Sequence, residues 1–333
     1  MTETVTGAAP ARRPGRRLID LAIEYNFILI FLVVVAIAAT LSPNFLTATN
    51  IANLFQQAAV VGVVAIGMTF VILTGNIDLS VGSVVALCGM LAAVLLADGM
   101  PIMPAIAITI LAGAIAGATI GLISALAEVP SFIVSLAGLV SFRGITYLMT
   151  DGVPVSGLPQ GFGAISSTMV PVLPGLQISS MGLIFIVLCI AAGALLRLTV
   201  FGESVYATGG NAEASRLSGL PTTRILVMVF TVSGIMSALA GILLTSRLRI
   251  GQPTAAQGLE LDAIAAVVLG GTSLFGGRGG VLGTFFAVML LQVLRNIFNL
   301  LGLGSFYQMT VTGLIIVAAI LLNRFIDIRR GRA

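Results

Sequence analysis

The chain has 333 residues, of which 58% are hydrophobic and only 8% are charged. Soluble globular domains carry about 25% charged residues, so this chain could not cover its own surface in water. All of its 16 basic residues are arginine, and the lack of lysine excludes a P-loop ATPase, whose Walker A motif requires one. The lack of histidine removes the usual base of intramembrane hydrolases. The arginines are dispersed, so we expect no nucleic-acid partner.

Apolar runs long enough to cross a bilayer, roughly 20 residues each, recur along the whole chain. They predict an all-α polytopic membrane protein with about ten transmembrane helices, both termini cytoplasmic and some helices broken within the bilayer. No soluble stretch is long enough to fold alone, so we expect a single membrane domain, residues 21–326, between cytoplasmic tails 1–20 and 327–333. The predicted spans are 25–41, 50–74, 81–97, 102–126, 131–150, 178–196, 225–245, 263–275, 281–301 and 307–322.

The chain begins with a polar tail, residues 1–20, that carries four arginines just before the first span. We expect this tail to be disordered and cytoplasmic. A secretory signal peptide is the competing interpretation, but the apolar run is too long for one and lacks a small-residue cleavage site. After a short outer turn, Asn50 is predicted to cap the second span.

Two apolar segments are interrupted by short glycine-containing sequences, at residues 74–80 and at residues 276–280. Each interruption could be a cytoplasmic turn or a break inside the bilayer, and the sequence leaves this open. The second has no preceding strand and no following lysine, so a tight helix connection is predicted in preference to a phosphate-binding loop. Elsewhere, Gly113, Gly117 and Gly121 recur at every fourth residue, which predicts close helix packing.

The arginine distribution predicts the orientation, because short cytoplasmic loops carry an excess of basic residues. With the N-terminus inside, the alternating topology places twelve arginines in inside segments and only Arg247 and Arg249 in outside segments. Residues 205–224 are therefore predicted to be cytoplasmic, and residues 151–177 and 247–262 extracytoplasmic. The expected location is the inner membrane of a prokaryotic cell.

Polar side chains within spans are candidates for a solute pathway, because each is costly in a bilayer unless it is paired or faces water. Asn53 and Gln57 lie in the second span, and Gln292 and Asn296 lie on one face of the ninth. Amides with few carboxylates suit a neutral hydrogen-bonding solute such as a sugar better than a cation. Polar side chains also join helices to one another, so both roles stay open, with a pathway role preferred for Gln57 and Asn296.

Arg143 is predicted to lie within a span, and Asp78 lies at membrane depth if the first interruption is a break inside the bilayer. With Ser80 and Ser83, Asp78 could cap the helix that follows it, since a helix N-terminus stabilises a carboxylate. Solute binding and proton coupling are the alternatives for Asp78, and proton coupling is opposed by the lack of a second acidic or histidine relay group in any span. For Arg143, pairing with the carbonyls of a broken helix is preferred to substrate contact.

Residues 205–224, which we call the connector, form the longest polar run between two long apolar segments. Gly209 and Gly210 are predicted to make a sharp turn, after which Asn211 caps a short helix. An ordinary amphipathic link between spans and a docking helix for a partner both fit this pattern.

The charges of the short helix agree with its dipole. Glu213 lies in the first turn and Arg216 lies toward the C-terminal end, where each charge is favourable. Gly219 is predicted to end the helix. A membrane protein that keeps one capped, charged helix outside the bilayer usually presents it to a partner.

Four stretches, in the right order, resemble the ribose-type sugar permeases of ATP-binding-cassette (ABC) importers. The connector sequence Ala-Thr-Gly-Gly-Asn-Ala-Glu-Ala-Ser-Arg-Leu-Ser-Gly-Leu is similar to the family's Ala-x-Gly-Gly-Asn-x-x-Ala-Ala-Arg-x-x-Gly-Ile and departs from it at Ser215 and Leu220. Asn76 stands where usual members have a second glycine in Gly-Gly-Ile-Asp-Leu-Ser. The resemblance covers residues 20 to 326, and the three other matching stretches are residues 75–83, 142–145 and 270–279.

The resemblance implies a permease that makes and breaks no bond and holds no cofactor, with ATP and magnesium bound by a partner. The implied partners are a second permease copy or close homologue, a cytoplasmic ATPase dimer and an extracytoplasmic solute-binding protein facing loops 151–177 and 247–262. The connector would be the ATPase-coupling segment, and the site residues that follow from this are Gly209, Gly210, Asn211, Glu213, Arg216 and Gly219. The sugar is not identified, and pentose, hexose, polyol and furanone-type solutes all stay open.

Two other classes of membrane protein are alternatives to an importer subunit. An ion-coupled secondary transporter of a small polar solute also uses broken helices at the midplane, but the scarcity of carboxylates in the spans argues against it. An integral membrane enzyme is opposed by the lack of histidine, lysine and paired acidic residues.

Overall fold

The computed structural model describes residues 26–304 together with 306, 307, 310, 311, 313, 314 and 317. Both predicted tails and most of the predicted span 307–322 lie outside the described residues. The described part is mostly helical. Its elements are α1 (Asn26–Leu41), α2 (Ala48–Leu73), α3 (Val81–Ala97), α4 (Ile102–Leu126), α5 (Ser131–Leu148), α6 (Gln160–Ser167), β1 (Met169–Leu173), β2 (Leu176–Ser179), α7 (Ser180–Leu198), α8 (Val200–Gly210), α9 (Ala212–Leu217), α10 (Thr222–Leu248), α11 (Leu259–Leu269) and α12 (Val281–Leu300).

Six of the described helices, α2, α4, α5, α7, α10 and α12, are long and apolar enough to cross a membrane, and α1 and α3 are shorter apolar helices. The 11-residue helix α11 spans only about 16 Å, roughly half of a 30 Å hydrocarbon core. The predicted span 263–275 is therefore wrong, because that segment holds most of α11 and then a loop. The predicted loop 247–262 likewise shares residues with α10 and α11.

Helix α2 lies at the centre of the fold and is buried on nearly all sides from Ala58 to Leu73. It packs against α10, α7, α12 and α11. A helix that is apolar all round belongs in the core of a large protein or membrane bundle. Its N-terminus is capped by Thr47, whose side-chain oxygen accepts from the backbone N–H of Asn50. The prediction of Asn50 as the cap is thus wrong, because Thr47 three residues earlier takes that position.

Helices α4 and α10 pack closely along their length, and glycines allow it. A Cβ on Gly117 would overlap the carbonyl oxygen of Phe230, and one on Gly234 would overlap that of Gly113. Small residues at such crossings let two backbones approach within van der Waals contact, the main attraction between helices in a bilayer. The predicted close packing of this glycine series is confirmed.

The all-α prediction needs one correction, in the region 151–177. This region contains the short helix α6 and most of an antiparallel hairpin, in which Met169 pairs with Ser179 and Val170 with Ile178. Gly175, with φ of 80°, provides the left-handed residue at the hairpin turn. Apolar and polar residues alternate in β2 (Leu-Gln-Ile-Ser) but not in β1 (Met-Val-Pro-Val-Leu), and the many prolines and glycines of the region conceal the hairpin in the sequence.

Candidate functional site

The connector consists of the end of α8, the short helix α9 and the turn into α10. Gly209 and Gly210 are the last two residues of α8, and neither has a positive φ. The predicted sharp turn at these glycines is therefore wrong. The chain changes direction one residue later, at Asn211, whose extended backbone (φ −163°, ψ 100°) separates α8 from α9.

Helix α9 has the caps that the sequence predicts. The Asn211 side chain accepts a hydrogen bond of 2.9 Å from the backbone N–H of Ala214, and Gly219 ends the segment with φ of +86°. Glu213 and Arg216 form an ion pair of 3.0 Å in which both side chains are about two-thirds exposed. Leu217 beside them is 79% exposed. The helix thus presents charged and apolar side chains outward from the molecule.

Gly209 contacts the end of α2, just before the first interruption of the membrane helices, and it also contacts the second interruption. We call residues 74–80, between α2 and α3, the first break, and residues 270–280, between α11 and α12, the second break. A Cβ on Gly209 would overlap the carbonyl oxygen of Leu73 and lie 2.6 Å from the backbone N of Gly277. That N–H donates to the same Leu73 carbonyl at 2.9 Å. Backbones from three distant parts of the chain meet here without intervening side chains.

Gly75 and Gly276 complete this contact, which we call the glycine junction: Gly75, Gly209, Gly276 and Gly277 around the Leu73 carbonyl. A Cβ on Gly276 would lie 2.7 Å from the carbonyl oxygen of Gly209 and 2.8 Å from the N of Gly75. Gly75, Gly276 and Gly277 all have positive φ, between 73° and 83°. Glycine is needed here both for the left-handed backbone and for the close approach.

Tyr206 adds a side-chain link between α8 and the second break. Its hydroxyl donates to the carbonyl of Gly279 at 2.9 Å. Partial burial raises the pKa of Tyr206, and the positive charge of Arg197 opposes that rise. The phenol therefore stays protonated as a donor at neutral pH. Movement of α8 is thus tied to the second break by a hydrogen bond as well as by packing.

The first break is held by a buried carboxylate. One oxygen of Asp78 accepts from the backbone N–H of Ser80 at 3.0 Å and from its hydroxyl at 2.6 Å, and the other accepts from the Ser233 hydroxyl of α10 at 2.8 Å. Ser83 donates to the Ser80 carbonyl at 2.7 Å. These bonds give Asp78 a structural role just before α3, but its predicted role as a cap is wrong, because Ser80 is the N-cap residue and no side-chain hydrogen bond caps α3. A solute-pathway role for Asp78 stays a prediction.

Side chains of α5 satisfy much of the extended backbone of the first break. Ser131 accepts from the N–H of Ile77 at 3.3 Å, and Ser135 accepts from the N–H of Leu79 at 3.0 Å. Further along α5, Arg143 donates to three carbonyls, those of Pro253, Ala255 and Gly82. Pairing of Arg143 with backbone carbonyls is confirmed, but only the Gly82 carbonyl belongs to a helix next to a break, since Pro253 and Ala255 lie in the loop before α11.

The predicted pathway amides lie in different environments. Asn296 is buried and forms a reciprocal pair with Asn50, with two N···O distances of 2.8 and 2.9 Å, which we call the outer amide pair. Gln292 is buried one turn earlier on α12, Gln57 is partly buried and Asn53 is exposed. The outer amide pair joins α2 to α12, and the role of all these amides in solute passage stays a prediction.

Two separate sets of contacts join the loops. The first break, the second break and the end of α8 meet at the glycine junction, while Val155 and Gly251 pair in an antiparallel bridge between the other two long loops. Asp262 of α11 bonds Arg295 of α12 at 2.6 Å. Sequence patterns did not identify the glycine junction, although the glycine clusters at 75, 209–210 and 276–277 were the available signal.

Comparison with known proteins agrees with these features. Residues 50–320 match the family model described as the permease component of the branched-chain amino acid transport system. The chain is 46% identical to a ribose import permease protein of Bacillus subtilis over 88% of this chain and 90% of that protein. It is 42% identical to the ribose import permease protein of Escherichia coli K12, over 93% and 97% of the two chains. It is 34% identical to the xylose transport system permease protein of the same organism, over 88% and 91%. No solved structure matches the chain.

Proposed function

Because the chain belongs to the ribose-type permeases of ABC transporters, we propose that it is the membrane subunit of an ATP-driven importer that carries a sugar or sugar-like solute. The family is one of transport subunits, and the chain is a protein of the cell membrane. ATP hydrolysis falls to a partner ATPase, and an extracytoplasmic binding protein delivers the solute to a pathway formed with a second permease copy.

The observation that carries this proposal is the contact of the connector with the end of α2 and with the second break. Helix α9 follows Gly209 by three residues, so a displacement of α9 by a partner moves the end of α8 directly. Because Gly209 lies against the Leu73 carbonyl and the Gly277 amide, that displacement is transmitted through backbone atoms to the end of α2 and to the second break. Rigid packed elements transmit such motions because they shift between discrete arrangements and do not bend gradually.

We propose a topology with both termini and the connector in the cytoplasm. It assigns the connector and the second break to the inner side, and the structure brings these together at the glycine junction with the start of the first break. It assigns residues 151–177 and 247–262 to the outer side, where Val155 pairs with Gly251. Segments assigned to one side by arginine counting therefore contact one another, which supports the assignment.

The surface for the ATPase is the exposed face of the connector. Glu213 and Arg216 offer charges that a partner can pair, and Leu217 at 79% and Phe275 at 90% exposure offer apolar anchors at the same end of the molecule. Large apolar side chains exposed to water beside charged ones are typical of protein interfaces. Asn211 and Gly219 fix the orientation of α9 through its caps.

The solute is a sugar by analogy with the relatives, whose names specify ribose and xylose. The Asp262–Arg295 ion pair and the buried Asp78 network leave few free carboxylates in the described spans to carry a coupling ion. This scarcity of free carboxylates agrees with transport of a neutral solute. Asn53 and Gln57, neither of them fully buried, are the pathway candidates that retain access to solute.

The experiment that tests the proposal is site-specific cross-linking of α9 to the ATPase. With both native cysteines replaced by alanine, a single Ala214→Cys substitution should cross-link to the ATPase subunit in the assembled transporter. Glu213→Arg should abolish ATP hydrolysis stimulated by the loaded binding protein while the permease still inserts in the membrane. The matched control is Glu128→Arg, the same charge change at another exposed turn, which should leave stimulated hydrolysis unchanged.

Two results would refute the proposal. One is solute uptake that persists when the ATPase subunit is deleted, which would support an ion-coupled carrier. The other is an equal effect of Glu213→Arg and Glu128→Arg, which would show that the connector has no special role.

A further inference from the structure

A cavity of about 450 Å³ lies between α7, α8 and the start of α12, next to the glycine junction. Its volume is within the range of small-molecule sites, roughly 300–1,000 Å³. The walls are almost entirely apolar and include Ile186, Ile190 and Phe285. Arg197 and Tyr206 are the polar side chains that line it, and no lining residue is acidic. We call this cavity the groove.

The groove faces the outside of the helix bundle. Ile190 is 68% exposed and Leu198 is 81% exposed, and both lie on α7, one of the helices apolar enough to cross a membrane. Apolar side chains on such a helix contact lipid chains when no protein covers them. A solute pathway for a sugar needs several hydrogen-bonding groups, and the groove supplies a single tyrosine hydroxyl and one guanidinium. Its chemistry fits a molecule with a long apolar part and an anionic end.

Arg197 lies at the end of the groove where such an anionic group would bind. It is in the last turn of α7 and is exposed, and no ion pair to it occurs among the described residues. Tyr206 directs its hydroxyl to the carbonyl of Gly279, so Arg197 supplies the charge for recognition. Arginines that flank a span on the cytoplasmic side attract anionic headgroups.

We propose that the groove binds an anionic phospholipid of the cytoplasmic leaflet, with its acyl chain along Ile190 and Phe285 and its phosphate at Arg197. The choice of leaflet rests on the proposed topology, and the site itself does not rest on transport. The lipid would contact Tyr206 and Gly280, which connect α8 to the second break. A bound lipid would therefore contact the segment that we propose for coupling.

Tryptophan fluorescence offers a direct test, because the chain contains no tryptophan. An Ile190→Trp variant of the full chain is reconstituted in vesicles that contain either brominated phosphatidylglycerol or brominated phosphatidylcholine, which quench nearby indoles. We expect the anionic lipid to be preferred roughly fivefold at this position, the contribution of about one arginine near a charged surface. Ile115→Trp on α4, where the native side chain is 57% exposed, is the matched control and should show no preference.

A second pair of variants tests whether Arg197 causes the preference for the anionic lipid. Adding Arg197→Gln to Ile190→Trp should remove the preference, whereas adding Arg224→Gln, which changes another exposed arginine at the end of the connector, should leave it. Equal quenching by the two lipids at position 190 would overturn the proposal, as would a preference that survives Arg197→Gln. If neither lipid quenches the tryptophan at position 190 while both quench the one at position 115, protein covers the groove, and this result would also overturn the proposal. Uptake is not measured, so these outcomes are independent of the proposed function.

Discussion

The first break and the second break meet at the glycine junction, but different groups hold them in place. The first break is anchored by side chains: Asp78 bonds Ser80 and Ser233, and serines of α5 bond its backbone. The second break is shaped by its own backbone, with positive φ at Gly271, Gly276, Gly277 and Gly279 and an N–H of Ser273 that donates to the Arg278 carbonyl.

This difference indicates that the first break stays in place while the second break can move. A buried carboxylate that accepts three hydrogen bonds is costly to displace, because each donor would lose its partner in a low-dielectric interior. The second break is more exposed, with Phe275 at 90%, and a surface loop held by few buried contacts opens at low cost. We infer that the second break follows the connector, while α3 and the Asp78 network stay in place.

The largest effect is expected from Asp78→Ala, which removes the anchor of the first break. Three donors lose their acceptor, and each buried unsatisfied group costs about 1–3 kcal/mol, so we expect a loss of at least about 3 kcal/mol. The measurement is the fraction of detergent-solubilised protein that stays monodisperse after heating. Asp98→Ala at an exposed turn is the control. A variant that is as stable as the parent but lacks uptake would instead assign Asp78 to solute or proton handling.

The next largest effect is expected at the glycine junction. Gly209→Ala would place a methyl group on the Leu73 carbonyl, while a Cβ at Gly210 meets open space. Overpacking of this kind costs about 1–3 kcal/mol, so we expect stimulated ATP hydrolysis and uptake to fall about tenfold in Gly209→Ala. Gly210→Ala should retain both activities. If Gly209→Ala and Gly210→Ala show the same ATP hydrolysis and uptake, the glycine junction has no role in coupling.

A smaller effect is expected from the outer amide pair, at the far ends of α2 and α12. Asn50→Leu or Asn296→Leu alone leaves one buried amide unpaired, at a cost of about 1–3 kcal/mol. The double variant should be less destabilised than the sum of the two, as expected for residues in direct contact. Thermal stability and uptake are measured for all four proteins. Loss of uptake from Asn296→Leu with unchanged stability would favour the pathway role.

The smallest effect on stability is expected on the surface of α9. Exposed ion pairs contribute about 0–1 kcal/mol, so the exchange Glu213→Arg with Arg216→Glu should leave the melting temperature nearly unchanged. Stimulated ATP hydrolysis should still be lost, because the partner meets reversed charges. Restoration of hydrolysis by the exchanged pair would show that the two residues matter only to each other.

Local sequence signals predicted the parts of this account that depend on local structure. The caps of α9, the glycine packing of α4 and the carbonyl partners of Arg143 follow from residue type and spacing. The role of Gly209 does not, because it depends on Leu73 and Gly277, which are distant in the chain. For the same reason, the sequence predicts a turn at Gly209, whereas the structure shows that this glycine allows a close approach of backbones.

The length of α11 and the hairpin β1–β2 were missed for a different reason. Hydropathy detects apolar runs, but a half-length helix that continues into an apolar loop gives the same signal as a short span. The hairpin strands have only five and four residues and include Pro171. Such short elements are specified by their partners in the fold more than by their own composition.

The central claim, that the connector and the second break move together, is tested most directly by distances between spin labels in the assembled transporter. In a chain without native cysteines, labels replace the exposed side chains Leu217 on α9 and Phe275 in the second break, and distances are measured with and without trapped ATP. We predict an unchanged distance between 217 and 275, while the distance from 217 to a label at Val140, an exposed position on α5, shifts. A distance between 217 and 275 that changes while that between 217 and 140 stays fixed would contradict the account.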